Sequence, residues 1–226
     1  MATDPLVSRA KFAREVKPFE DERERYALMG IWVLYSEYPE ILVAFATPKS
    51  PQVFVPFAAL VDFTDYDALP LRVTLVHPCT RKPLNFSEVL PQVFPNIQFP
   101  VPGRINRLRL DNATGGQIIQ DSLLQGYDNT DAKPFLCLPG VKSYHDHPGH
   151  TGDSWWLHRS LGEGSLHTIL YTLWKYGTRN VTGQKMTISV TAAGYVVQPE
   201  FEAPVAAAPV PAQAPPTESQ QDGGGM

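Results

Sequence analysis

Apolar side chains at Phe12, Val16, Phe19 and Tyr26, with Arg23 as the one charged member of the series, recur every three or four residues. That period puts them on one face of an α-helix. Asp4 before Pro5 reads as a helix start, an acceptor side chain followed by a residue whose φ is already helical. Pro18, followed by Glu20, Asp21 and Glu22, reads as a second start with an acidic first turn. The pattern therefore predicts an N-terminal helix broken or kinked at Pro18 and ended by Gly30.

From Ile31 the period changes. IWVLYSEY, ILVAFATP, QVFVPFAALVDF and LRVTLVHP are short runs rich in β-branched and aromatic residues, separated by breaks of Pro, Asp and Ser. Runs that follow one another this closely predict a four-strand antiparallel meander. The stretch from Thr80 to Lys133, with its prolines and the pair Gly115-Gly116, reads as a long irregular insertion with one strand near Ile105 to Leu110. Leu166, Ile169, Leu170, Leu173 and Trp174 then restore the helical period, and Gly177 stands where a left-handed turn would end that helix. MTISVT and GYVVQ predict a final strand pair, and beyond Pro199 the segment APVAAAPVPAQAPPTESQQDGGGM is too poor in large apolar groups to offset its ordering entropy. The expected fold class is α+β, with a folded domain over residues 1–198 and a disordered tail over 199–226.

Composition narrows the class of partner. A chain of 226 residues with 43% hydrophobic content can bury one sizeable core, and a net charge of -4 supplies no basic field for binding phosphate backbones. Nucleic acid is not an expected partner. Two cysteines, Cys79 and Cys137, with no CxxC spacing suggest neither a disulfide framework nor a thiolate zinc cluster, so a reducing compartment is expected. MATDPLVSRAKFAREVK has no signal-peptide apolar core, and no apolar run reaches membrane-spanning length, so the expectation is a soluble cytoplasmic protein.

The segment FLCLPGVKSYHDHPGHTGDSWWLHR, from Phe135 to Arg159, holds four of the six histidines, one of the two cysteines and two of the four tryptophans. One chemistry it suggests is metal binding. In an extended segment His145 and His147 project from one face, and Pro148-Gly149 can turn His150 back towards them. Three neutral imidazoles, with Asp153 nearby, suit zinc or another first-row divalent ion. The same histidines overlap the HxHxDH motif of metallo-β-lactamase-like hydrolases, with Gly149 at the place of the motif's aspartate and only His158 and His167 downstream as further ligands. Against both stands the plainer role of capping turns and bonding backbone carbonyls.

The second chemistry is nucleophilic. Cys137 lies where an apolar run meets a Pro-Gly turn, a place that presents a side chain to solvent, and Lys142, His145 and Arg159 are local candidates to lower its pKa. An inert buried cysteine is the competing reading.

The order of elements adds to this. A helix, a meander, the run FAALVDFTDYDALPLRVTLVHPC with its His77-Pro78 pair, the FLCLPG segment, and the tryptophan-bearing SWWLHRSLGEGSLHTILYTLWKYG resemble ubiquitin-conjugating enzymes. The resemblance spans roughly residues 5 to 177 and is nearest to divergent bacterial members that occur with activating enzymes and ubiquitin-like proteins, some labelled metal-binding for a YHxHPxHxGDxW signature. It implies a thioester nucleophile at Cys137, acyl transfer needing no cofactor, and an activating enzyme, a ubiquitin-like protein and a target protein as partners. It also implies that Asp146 or Asp153 positions or deprotonates the incoming amine and that His145, or a metal held by His145, His147 and His150, steadies the oxyanion.

The pattern departs from that family at two points. Cys79 stands where the His-Pro motif carries asparagine, and about sixty residues separate His77 from Cys137. Asn129, His145 and His147 are the candidate replacements for that asparagine; Cys79, Ser143 and Ser154 are the other candidate nucleophiles. The missing asparagine also leaves open an inactive scaffold of the same fold. Gly224 and Gly225 at the end of the chain match the Gly-Gly ending of ubiquitin-like modifiers, or are simply part of a solvated tail.

Overall fold

Asp4 caps the first helix, its carboxylate accepting the Leu6 amide at 2.9 Å, and Pro5 opens α1 (Pro5–Asp21). In this computed structural model the described residues are 3–51, 53–86, 88–89, 123–125, 133–179, 181–191 and 194–202. The expected strand near Ile105 to Leu110, the Gly115-Gly116 pair, Asn129, and the tail with Gly224 and Gly225 lie outside them. Phe12, Val16 and Phe19 are buried on the inner face of α1 as their spacing predicts.

Of the break or kink expected at Pro18, the break is corrected. Pro18 sits inside α1, the helix runs on to Asp21, and the Glu22 amide still bonds the Pro18 carbonyl at 3.1 Å. A proline removes only its own N–H, and the carbonyl that loses this partner belongs to Arg14, an exposed residue. The real interruption is Glu22, after which α2 (Arg23–Met29) ends at Gly30 in a left-handed conformation, φ 89°.

The meander forms as four antiparallel strands in sequence order: β1 (Ile31–Glu37), β2 (Glu40–Phe45), β3 (Phe57–Asp62) and β4 (Arg72–Val76). Residues 53–56, read from the sequence as part of a strand, precede β3 as irregular chain. Ile41, Val43 and Phe45 of β2 join Ala59 and Val61 of β3 in the main core, while Leu42, Ala44 and Ala58 turn to the opposite face. On the core face the sheet meets α1 and α5 (Leu166–Gly177), whose Ile169, Leu170 and Leu173 are fully buried. Gly177 is the last residue of α5 and not a left-handed cap, since Thr178 caps it with φ -122°. A closing hairpin, β7 (Gly183–Thr191) with β8 (Gly194–Glu202), extends past the expected boundary at Pro199.

Two carboxylates tie the helices to the loops that carry the histidine-rich segment. Glu15 of α1 accepts the Leu166 amide at the start of α5 at 2.7 Å and, through its other oxygen, the Tyr66 hydroxyl at 2.7 Å. Asp67, in the β3–β4 connection, receives Lys11 of α1 and the Arg159 Nε at 2.8 Å, while its carbonyl accepts the Trp155 Nε1–H at 2.9 Å.

The segment before Cys137 is a strand pair that sequence reading missed: β5 (Leu124–Gln125) against β6 (Phe135–Leu136). The Cys137 amide continues this pairing by donating to the Leu123 carbonyl at 2.8 Å. The chain then turns at Gly140, φ 90°, and joins the edge of β4 through the Lys142 amide on the Leu71 carbonyl at 2.8 Å.

Gly140 packs backbone to backbone on Gly164. A Cβ on Gly140 would stand 2.5 Å from the Gly164 Cα, and one on Gly164 would overlap the Trp155 ring. Gly152 has a similar φ, 93°, but open space around it. Gly152→Ala should therefore cost about 1–2 kcal/mol for the left-handed conformation alone. Gly140→Ala should cost about 1–3 kcal/mol more, because backbone is what the new methyl meets; urea unfolding of the two variants gives the difference directly.

Candidate active site

After Cys137 the chain forms a short helix, α3 (Lys142–Asp146), then a 3₁₀ turn over Pro148–His150, then α4 (Trp155–Arg159). This corrects the extended reading of YHDHPGH. Tyr144 and His145 lie on a helical turn and His147 caps it, so His145 and His147 do not share a face as they would in a strand.

His145 is held at both ring nitrogens. Nε2 accepts the Gly140 N–H at 3.1 Å, which leaves the proton on Nδ1 to donate to the Asp153 carbonyl at 2.9 Å. Burial keeps this ring neutral by lowering its pKa below the usual value, with the nearby His158 charge acting in the same direction. A ring with both nitrogens engaged has no lone pair for a metal. The His147 Nδ1 accepts the Gly149 N–H at 3.1 Å, closing the 3₁₀ turn, and its ring lies against Phe135 with centroids 4.6 Å apart. Among the described residues, no three His, Cys, Asp or Glu side chains are grouped so that they could hold a metal ion. The structure thus does not bring His145, His147 and His150 together as a ligand set.

His150 instead faces Cys137. Its Nε2 is 3.7 Å from the Cys137 Sγ, within hydrogen-bonding range for sulfur, and Cys137 is partly exposed. The imidazole stacks on the Tyr144 ring, centroids 3.9 Å apart and planes 25° from parallel, with Phe135 beyond at 6.1 Å. A Cys–His pair at this distance is the arrangement in which an imidazole accepts the thiol proton and stabilises the thiolate.

Behind the pair lies a charged group that sequence reading did not assemble. Tyr144 donates its hydroxyl to Asp153 Oδ2 at 2.6 Å, and Asp153 Oδ1 meets His158 Nε2 at 2.7 Å. The other nitrogen of His158 bonds Glu163. His158 is 5% exposed, so burial pulls its pKa down; hydrogen bonds to Glu163 and Asp153 outweigh this and raise it above the ordinary value. Carboxylates at both ring nitrogens thus favour the cationic form of this imidazole, which donates one N–H to each.

The remaining candidates sit elsewhere. Asp146 is exposed and paired with Lys142 at 2.6 Å, beside a groove of about 350 Å³ along β4 lined also by Arg72 and Ser143. The Arg159 guanidinium is engaged by Asp67 and lies over the Trp156 ring. Lys142 and Arg159 thus direct their charges to carboxylates rather than to the thiol. Both carboxylate oxygens of Asp153 are occupied by Tyr144 and His158, which makes it an organiser of the site and not a free base. Cys79 is exposed, with its amide donating to His77 Nδ1 at 3.2 Å, so His77 caps its own turn. His167 stacks on Tyr171 along α5, and Ser154 caps α4 by accepting the Trp156 amide at 3.4 Å.

The two shifted histidines set opposite pH dependences. His158, with its pKa raised, binds a proton more tightly folded than unfolded; that stability is fully present below about pH 6.5 and is lost as pH rises through the folded value. His145, with its pKa lowered, costs stability as pH falls below about 6.5. In urea unfolding, the stability gap between the native chain and His158→Gln should therefore be widest near pH 6 and narrow steadily towards pH 9.

A family model describing the Y4jH family matches residues 3–181, from the cap of α1 through the Cys137 loop and α5 to the residues before β7. The "Uncharacterized protein y4jH" of Sinorhizobium fredii (strain NBRC 101917 / NGR234) is 36% identical over 200 residues, covering 87% of this chain and 95% of that protein. With the match running through the helices, the meander and the Cys–His pair alike, the chain belongs to the Y4jH-like family.

Proposed function

We propose that the protein is a thioester-forming acyl transferase of the ubiquitin-conjugating type, with Cys137 as the acyl carrier and His150 as its proton acceptor. The observation that carries this reading is the 3.7 Å approach of the His150 Nε2 to the Cys137 Sγ on a partly exposed loop. The helix, four-strand meander and C-terminal helix around that loop are consistent with the resemblance described from the sequence.

The chemistry follows from the pair. With its own proton on Nδ1, His150 takes the thiol proton at Nε2, and the thiolate attacks the C-terminal carbonyl of a ubiquitin-like protein held as a thioester on the activating enzyme. The new C–S bond forms as the old one breaks, and the activating enzyme's thiol leaves with the proton. In the second step an amine of the target attacks the Cys137 thioester, an amide forms, and Cys137 returns as the thiol. His150, neutral again once the activating enzyme's thiol has left with the proton, accepts the proton that the attacking amine loses and delivers it to the departing Cys137 sulfur. His145, neutral and locked between Gly140 and Asp153, shapes the loop in which this occurs.

Incubation with ATP and the activating enzyme and ubiquitin-like protein of the same genome should give an adduct that thiols release. It should be absent in Cys137→Ala, become thiol-resistant in Cys137→Ser, and persist in Cys79→Ser. His150→Ala should slow its formation roughly 100-fold, the usual size of a general-base contribution. An adduct that persists in Cys137→Ala overturns the assignment.

A further inference from the structure

We infer that Tyr144, Asp153 and His158 are positioning residues for Cys137, a built clamp that sets the His150 ring against the thiol. The inference rests on the acyl-transfer reading for the reaction it serves, but its geometry stands by itself. Tyr144 is 2% exposed and so cannot swing away, and its ring is the surface on which His150 stacks. Its hydroxyl is fixed by Asp153 Oδ2, and Asp153 is fixed in turn by the His158 cation, which Glu163 holds from the other side.

Asp153 also reaches both partners of the pair through its backbone. Its N–H donates to the His150 carbonyl at 3.0 Å, and its carbonyl accepts His145 Nδ1–H, whose Nε2 accepts the Gly140 amide of the Cys137 loop. The contacts close a ring: Cys137 to Gly140 along the chain, then His145, Asp153, Tyr144, His150 and back to the sulfur. Each member of the Cys–His pair is thereby linked to Asp153. A cation buried between two carboxylates is costly to assemble, and here it fixes one carboxylate oxygen towards a tyrosine that contacts the reacting histidine.

The test uses the full chain in a Cys79→Ser background, so that alkylation by iodoacetamide reports Cys137 alone. Tyr144→Phe keeps the stacked ring and removes only the hydroxyl bond to Asp153. It should move the pH midpoint of Cys137 alkylation upward and slow thioester formation about tenfold to hundredfold, the loss expected when a reacting group is misplaced by about an ångström. In a His150→Ala background the same substitution should change the alkylation profile no further, because the tyrosine acts through that histidine. His158→Gln should shift the profile in the same direction, and Tyr144→Phe decides the matter if that variant fails to fold. A Tyr144→Phe profile and rate equal to the native chain's overturn the clamp and leave the transferase reading intact. A shifted profile that disappears in His150→Ala supports the clamp, even if no thioester forms with any activating enzyme and the transferase reading falls.

Discussion

Asp153 has four polar groups, and each bonds a different part of the site. Its amide bonds His150, its carbonyl His145, one carboxylate oxygen Tyr144 and the other His158. The residue lies between the 3₁₀ turn and α4, so the same bonds that orient the side chains also join two short elements with little secondary structure of their own. Helices of five residues are not stable alone; their geometry comes from what they pack on and bond to. Here those bonds converge on one residue. The energetic consequence is asymmetric: while His158 is protonated and Glu163 is present the group is satisfied, whereas removal of one partner strands a buried charge.

The rest of the fold supplies the frame on which this group rests. Glu15 and Asp67 reach from α1 and from the β3–β4 connection to Leu166 at the start of α5 and Trp155 at the start of α4, fixing the two ends of the segment that contains His158 and Glu163. The Gly140–Gly164 contact under Trp155 brings the two halves of the site, the Cys137 turn and the loop bearing Glu163, within backbone distance of each other. Glycine is required there for a steric reason at both positions and a torsional one at Gly140. The sheet thus contributes no reacting group, yet its edge strand anchors the Cys137 turn through Leu71 and its loop anchors α4 through Asp67.

The elements with a strong repeating pattern were legible in the sequence: the buried face of α1, the four strands, α5 and the closing hairpin. Pro18 does not break α1 because it removes only one interior N–H, and the carbonyl that loses it belongs to the exposed Arg14. The site was legible as a cluster but not as an arrangement. Spacing showed that Cys137 and four histidines lie together, and it could not show that one helical turn separates the directions of His145 and His147. The β5 strand was hidden because two residues, Leu124 and Gln125, are too few to show alternation. Glu163 had no signal at all, and Tyr144 stood in the YHxHPxHxGDxW signature with no role attached, since a tyrosine beside a histidine and a glutamate between glycines are ordinary until burial and distance give them partners.

That difference explains why one segment supported two chemistries. A row of imidazoles reads as a metal site when each is imagined with a free lone pair. In the fold, His145 gives its lone pair to the Gly140 amide, the His147 Nδ1 gives one to the Gly149 amide, and both nitrogens of His158 are engaged by carboxylates. Among the described residues, backbone amides and carboxylates thus engage one or both ring nitrogens of three of the segment's four imidazoles. His150 differs in kind, since its Nε2 is directed at a sulfur, and the groups that immobilise it do so through its neighbour's ring and its own carbonyl. The histidines are therefore divided by what they bond rather than by where they stand in the sequence, with His145, His147 and His158 holding the loops in shape and His150 directed to the thiol.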